Sequence, residues 1–142
     1  MHPHPIRHAA RAPLAASACA LALAGCGGAV SVSGFKGEEH EVAQTVANLQ
    51  SDANAQDQAK VCGNDLAHAL VARLNEAPGG CEQAIKKQQT EIDPGLEVTV
   101  ESVHIAGATA TASVKSTFEG KHRVSTLEFV KEGGKWKVSG VR

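Results

Sequence analysis

The spacing of apolar positions changes twice along the chain, and each change marks a boundary. Leu14 to Ala24 is a near-continuous apolar run, and the glycine-rich "CGGAVSVSGFKG" follows it. From Glu38 the spacing becomes helical. Val42, Val46 and Leu49 recur at i, i+4 and i+7 over Glu38–Asp52, the stripe of an amphipathic helix. Glu38 and Glu39 in its first turn suit the positive helix N-terminus. A second helical stretch is predicted from about Asp57 to Asn75, carrying Cys62, Leu66, Leu70 and Leu74 at successive i+4 positions. Gly63-Asn64 offers a break in it, with Asn64 as the new cap. "APGG" is a turn, and a third helix is predicted from about Cys81 to Thr90, with Ile85 one turn beyond Cys81. Asp93–Gly95, "DPG", stops the helices.

From Leu96 the period is two. Leu96, Val98 and Val100 share one face, whereas Val103 and Ile105 fall out of phase by one, so a β-bulge is predicted near Glu101-Ser102. "TATASVKSTF" alternates Ala110, Ala112, Val114 and Phe118 with polar residues. "HRVSTLEFVK" sets Leu127 and Phe129 on one side, and "WKVSGVR" places Trp136 and Val138 inward. Short loops between four such strands imply an antiparallel meander with one covered face. The expected fold class is therefore α+β, with about three N-terminal helices packed on a curved four-stranded sheet. The alanines at 110 and 112 either let a helix approach the sheet closely or leave room for a ligand. Packing is the better account, because native cores rarely leave voids.

The first residues, "MHPHPIRHAARAPLAASACALALAGC", join a basic start (Arg7, Arg11) to a short apolar run and a small-residue boundary, the layout of a secretory signal. The arginines are not adjacent, so a twin-arginine signal is not supported. No charge occurs from Ala12 through Phe35, long enough for a membrane helix, but the apolar part ends at Ala24 and falls short of the ~20 apolar residues a span needs. "LAGC", Leu23 to Cys26, resembles the lipobox of bacterial lipoproteins. In that family a diacylglyceryl group is attached to the cysteine thiol and a dedicated peptidase cuts just before it. The resemblance implies an excised signal peptide at 1–25, a lipidated Cys26 opening a glycine-rich tether at 26–37, and a single domain at 38–142. It places the protein outside the cell, lipid-anchored to the outer face of the bacterial membrane. An ordinary signal that leaves Cys26 as a free thiol is the alternative.

Charge and cysteines narrow this further. The formal net charge is −1, which gives no general case for nucleic acid. Acidic residues dominate Glu38–Glu101 and basic ones dominate Ser102–Arg142, which fits two halves of opposite sign packed together, with a basic surface turned toward anionic lipid or wall polymer as the alternative. Of four cysteines, the lipobox resemblance removes Cys19 with the leader and assigns Cys26 to lipid. Cys62 and Cys81 remain, and in an oxidising compartment they are expected to pair, with buried free thiols or metal ligands as alternatives. Zinc is disfavoured, since His68 and His104 lack the short spacings of a ligand set.

The closing stretch "STLEFVKEGGKWKVSGV" is similar to the final hairpin of nuclear-transport-factor-2-like domains. Small exported lipoproteins of that superfamily also show paired cysteines in the helical part, as Cys62 and Cys81 are placed here. The resemblance implies a cone-like fold in which sheet and helices enclose a pocket. The superfamily includes ketosteroid isomerase-like and dehydratase-like enzymes, polyketide cyclases and many non-catalytic members, so fold alone does not choose a function. Its enzymes generally use pocket acids, histidines and tyrosines, and this chain has no tyrosine. His40 and His122 are expected to be solvated, and His68 falls off the leucine stripe. His104 and Glu128 alternate with inward residues and should point away from the covered face. No phosphate-cradling loop, nucleophile elbow or metal motif is present. The expectation is a membrane-anchored, non-catalytic envelope domain, without cofactor, that binds a small apolar ligand or a partner protein. An isomerase- or dehydratase-like enzyme and a purely structural module are the alternatives.

Overall fold

α1 spans Gly37–Asn54 in the computed structural model, which describes residues 30–91 and 96–142. The leader, Cys19, Cys26 and Asp93–Gly95 lie outside those residues. α1 buries Val42, Ala43, Thr45 and Val46, the side its apolar stripe predicts. The second helical stretch is not one helix. A single turn, α2 (Gln58–Lys60), begins where the Asp57 carboxylate accepts the Lys60 N–H at 3.0 Å. It runs into a five-residue π-helical turn, Val61–Asp65. Leu66 is then extended and bridges Val138 in parallel, while the Ala67 N–H donates to the Val138 carbonyl at 2.8 Å. α3 (His68–Leu74) starts only after this junction. The break therefore falls at Leu66-Ala67 rather than Gly63-Asn64, and Asn64 is not the cap. Pairing with the last strand overrides the local capping preference.

α4 covers Gly80–Thr90, and the Asn75 side-chain oxygen accepts the Cys81 N–H at 2.9 Å in its first turn. Gly79 precedes it with φ 85°, and a Cβ there would lie 2.7 Å from that of Gln83, so only glycine fits this entry. The Cys62–Cys81 disulfide, with S–S 2.01 Å, ties the π-turn to α4. Among the described residues the helical layer thus has four α-helices, one more than the sequence pattern indicates.

β1 (Glu97–Ala106), β2 (Thr109–Phe118), β3 (Lys121–Glu132) and β4 (Lys135–Val141) form an antiparallel sheet in chain order. The β1–β2 register shifts between Val100 and Ser102, where the phase change requires a bulge. A second shift, between Glu128 and Phe129, bends β3 against β4. α1 lies across β1, β2 and β4, close over the small side chains of Ala110 and Ala112. Phe129, Val138, Val42 and Val61 fill the centre and are almost wholly shielded from solvent. This is a curved α+β cone.

The stretch before α1 is not free throughout. Val30 belongs to the core at 8% exposure, Val32 and Phe35 pack against that core, and the Phe35 N–H donates to the Val32 carbonyl at 3.2 Å. Apolar side chains at 30, 32 and 35 are long enough to reach the core edge, so the later half of the glycine-rich segment is docked. Among the described residues no helix is long and apolar enough to cross a membrane.

The disulfide closes a sequence separation of 19, for which loop-closure entropy gives about 3 kcal/mol. A Cys62→Ala/Cys81→Ala double variant is expected to lose about that much in urea unfolding. An unchanged midpoint would show that the covalent link is energetically idle.

Candidate functional site

One helix face, the π-turn and the start of β4 create a groove of about 510 Å³. From α1 come His40, Glu41, Gln44, Thr45 and Asn48, successive positions on one side of the helix. Facing them are Asn64 and Asp65 at the end of the π-turn, Gly134 in the turn joining β3 to β4, and Lys135–Lys137 at the start of β4. π-helical turns are rare and recur at functional sites, and here the turn delivers Asp65 into the groove wall.

Two residues that line this groove each bury a polar atom that has no partner. Asp65 is 4% exposed, and its Oδ2 accepts no hydrogen bond. Trp136 is equally buried, and its indole Nε1–H donates to nothing. Among the described residues these are the two buried side-chain polar atoms left unpaired. Each such atom costs about 1–3 kcal/mol unless something outside the chain satisfies it. Burial pushes the Asp65 carboxyl from an ordinary 3.8 up to about 6. Asp52 adds to the rise through like charge and a side-chain hydrogen bond, and the Lys137 ammonium opposes it.

The remaining polar groups are largely engaged. Thr45 Oγ1 donates to the Glu41 carbonyl at 3.0 Å and to the Trp136 carbonyl at 3.4 Å. Lys137 Nζ donates to the carbonyls of Gly63 (3.4 Å) and Asn64, which pins the π-turn to β4. Lys131 stands over the Trp136 ring, 5.3 Å from its centroid, and pairs with Glu38. Gln44 donates to Asn48 at 3.0 Å, so the rim carries side-chain amides.

The histidines are dispersed. His40 is half-buried rather than solvated, because its Nδ1 lies 3.2 Å from the Val32 carbonyl of the docked N-terminal segment. His68 Nδ1 lies 3.1 Å from the Glu132 carboxylate at the start of α3. His122 is exposed and meets Thr117 Oγ1 at 3.1 Å. His104 and Glu128 flank Thr111 on neighbouring strands, on the sheet face away from the helices, and Glu128 pairs with Arg142 at 2.7 Å. Neither reaches the groove. Among the described residues no group of three or more His, Cys, Asp or Glu could hold a metal ion.

Asp65 was not legible as a site residue because its local context, "GND", reads as a helix break. The available signal was its place one turn beyond Val61, on the buried side. Trp136 was legible as inward-facing, but its unpaired N–H was not.

The Asp65 carboxyl titrates higher when folded than when unfolded, so its contribution to stability is full below about pH 4 and fades as pH rises through about 6. Wild type is expected to lose about 2–3 kcal/mol between pH 4 and pH 7.5 that Asp65→Asn does not lose. Paired urea titrations at the two pH values measure this, and parallel curves would refute the buried, raised carboxyl.

Residues 42–141 match the family described as "Low molecular weight antigen MTB12, C-terminal domain". No curated protein matches the sequence. Among solved structures, a de novo designed NTF2 fold protein, NT-9, aligns over 75% of this chain and 87% of its own, with 13% identity and a TM-score of 0.53. An NTF2-like protein of unknown function from Shewanella baltica aligns over 69% and 88%, with 16% identity and a TM-score of 0.45. A de novo designed protein with a curved β-sheet is 22% identical over 44% of this chain, which spans 62% of that design, with a TM-score of 0.38. The order of elements, the bent meander and the likeness to NT-9 make the fold NTF2-like, and by its match over 42–141 the chain belongs to the MTB12 C-terminal domain family.

Proposed function

We propose that the protein is an exported lipoprotein, anchored through Cys26 to the outer face of the bacterial membrane, whose domain binds a small ligand in the Asp65–Trp136 groove without transforming it. The observation that carries the binding reading is the groove itself, lined by polar side chains of α1, the π-turn and the start of β4. A volume of about 510 Å³ is of small-molecule size, which favours a small ligand over a protein partner. The lining is polar, so the ligand is a polar one rather than the small apolar ligand expected of the envelope domain. The Cys62–Cys81 disulfide supports an oxidising, extracytoplasmic compartment.

The docked N-terminal segment shortens the anchor. Val30 sits in the core, so Gly27–Ala29 alone separate it from Cys26. At full extension the four steps from Cys26 to Val30 reach about 14 Å. The domain is held against the bilayer surface rather than swinging on a long tether.

A second reading, an isomerase- or dehydratase-like enzyme, has one observation in its favour: a carboxyl near pH 6 is poised for general acid–base work. Against it, the His40 ring is engaged with Val32, and His104 and Glu128 lie on the far face of the sheet.

Native mass spectrometry of the full chain purified from its own envelope tests the proposal. We expect a diacylglyceryl mass on Cys26, absent in Cys26→Ser, and a co-purified small molecule lost in Asp65→Ala. An unmodified Cys26 would remove the anchor. A small molecule retained by Asp65→Ala would remove the groove, and one recovered chemically altered after incubation would favour the enzyme.

A further inference from the structure

The sheet ends in two outer strands, β1 and β4, but a third stretch of its margin is also unpaired. β3 pairs with β2 from Lys121 to Val130. On its other side β4 covers only Leu127 to Glu132. Arg142 extends that cover to Thr126, exchanging backbone hydrogen bonds of 2.8 and 2.9 Å with it. Among the described residues no strand pairs with Lys121–Ser125 on that side. Backbone groups alternate in direction along an antiparallel strand. His122 and Val124 therefore aim their N–H and C=O the same way as Thr126, into the open margin.

The three margins differ in protection. β4 is bridged by Leu66 and Ala67 at Val138, and the Thr45 hydroxyl reaches the Trp136 carbonyl. β1 carries the bulge between Val100 and Ser102 and the exposed carboxylates of Glu97 and Glu101. The free part of β3 has no cover, bulge or proline, and Lys121, His122, Arg123 and Val124 are all exposed. A second copy would bring its own Lys121 and Arg123 to this edge, like charge against like. A strand that brings carboxylates meets no such barrier.

Register assigns the chemistry of that strand. Lys121 and Arg123 lie on the face that carries Leu127 and Phe129, whereas Val124 lies on the opposite face, paired with Lys115. Among the described residues neither Lys121 nor Arg123 is in an ion pair, while Glu101 and Glu128 are held by Lys115 and Arg142. Val124 is 59% exposed, one of two large apolar residues left in solvent among those described. From this we infer that the free edge of β3 receives an extended acidic peptide segment by strand addition. Alternate carboxylates face Lys121 and Arg123, and an apolar side chain covers Val124. A phosphate polymer or anionic lipid answers the charge but brings no backbone rungs to His122 and Val124.

The edge also lies at the far end of α1 from the segment that leads to Cys26. Val32 meets His40 in the first turn of α1. Gln50, near the other end of this 18-residue helix, about 27 Å long, donates to the Leu96 carbonyl at 3.5 Å. Leu96 leads into β1, where Glu97 pairs with Thr117, the partner of His122. This placement favours a partner in the envelope over the anchoring bilayer.

Backbone amide resonances of full-length 15N-labelled protein provide the test. The probes are a capped pentapeptide of alternating glutamate and valine, the same peptide N-methylated at its valines, its lysine–valine counterpart, poly(glycerol phosphate) and phosphatidylglycerol vesicles. Saturable shifts at His122 and Val124 are expected with the glutamate peptide, weakened by salt and lost on N-methylation. Val124→Pro removes an N–H that β2 does not use, a place where an edge strand tolerates proline. It and Arg123→Glu should each weaken binding at least about fivefold, and Arg123→Glu keeps the test open if Val124→Pro fails to fold. Equal binding of the N-methylated or lysine peptide overturns the assignment, as do shifts with the polymer or the vesicles but not with the glutamate peptide. Concentration-dependent shifts of these amides without any probe give the edge to a second copy and overturn it too. Silence toward every probe does the same, and leaves the groove reading untouched.

Discussion

The short junction at Leu66-Ala67, where the helical layer is hydrogen-bonded to the last strand through Val138, sets the position of everything that bears on the groove. To reach β4, the chain must leave the helical path early, and it does so through a π-turn rather than a clean stop. That turn carries Cys62 outward to Cys81 and Asp65 inward to the groove. Lys137 reinforces the arrangement from β4 by capping the Gly63 and Asn64 carbonyls. Disulfide, backbone bridge and lysine cap act on seven consecutive residues, Val61 to Ala67. A buried carboxylate held by three constraints cannot swing to solvent to relieve its desolvation.

The groove is a place where the fold accepts cost. Domains are stable by only ~5–15 kcal/mol, so two unpaired buried atoms and a desolvated acid take a sizeable share of it. The surrounding core is well filled by Phe129, Val138, Val42 and Val61, and the disulfide restrains the unfolded chain. Frustration confined to one wall of one groove, in an otherwise consistent structure, is the pattern expected of a functional site.

Strand phase was highly legible. Alternation in β2 and β4 gave the buried side correctly, and the phase slip between Val100 and Val103 located a bulge that the register displays. Both follow from the period of two, which leaves each side chain only two faces. The α1 stripe was equally plain. The second helical stretch was not, because its outcome depends on Val138, some seventy residues away, which no local window contains. His40 was misread for the same reason: its partner is a carbonyl in a segment that composition marks as a tether.

By itself, then, the amino-acid order determined the class of fold and the inward faces of the strands, since these rest on local periodicity, whereas the pairing of Cys62 with Cys81 was expected only through the lipobox resemblance. Only the tertiary structure decided where the helices break, that Val30 is docked, and that Asp65 and Trp136 share one groove without partners. Burial and hydrogen-bond satisfaction are properties of three-dimensional surroundings. A carboxylate next to an asparagine and a glycine looks like turn chemistry until the final strand closes over it.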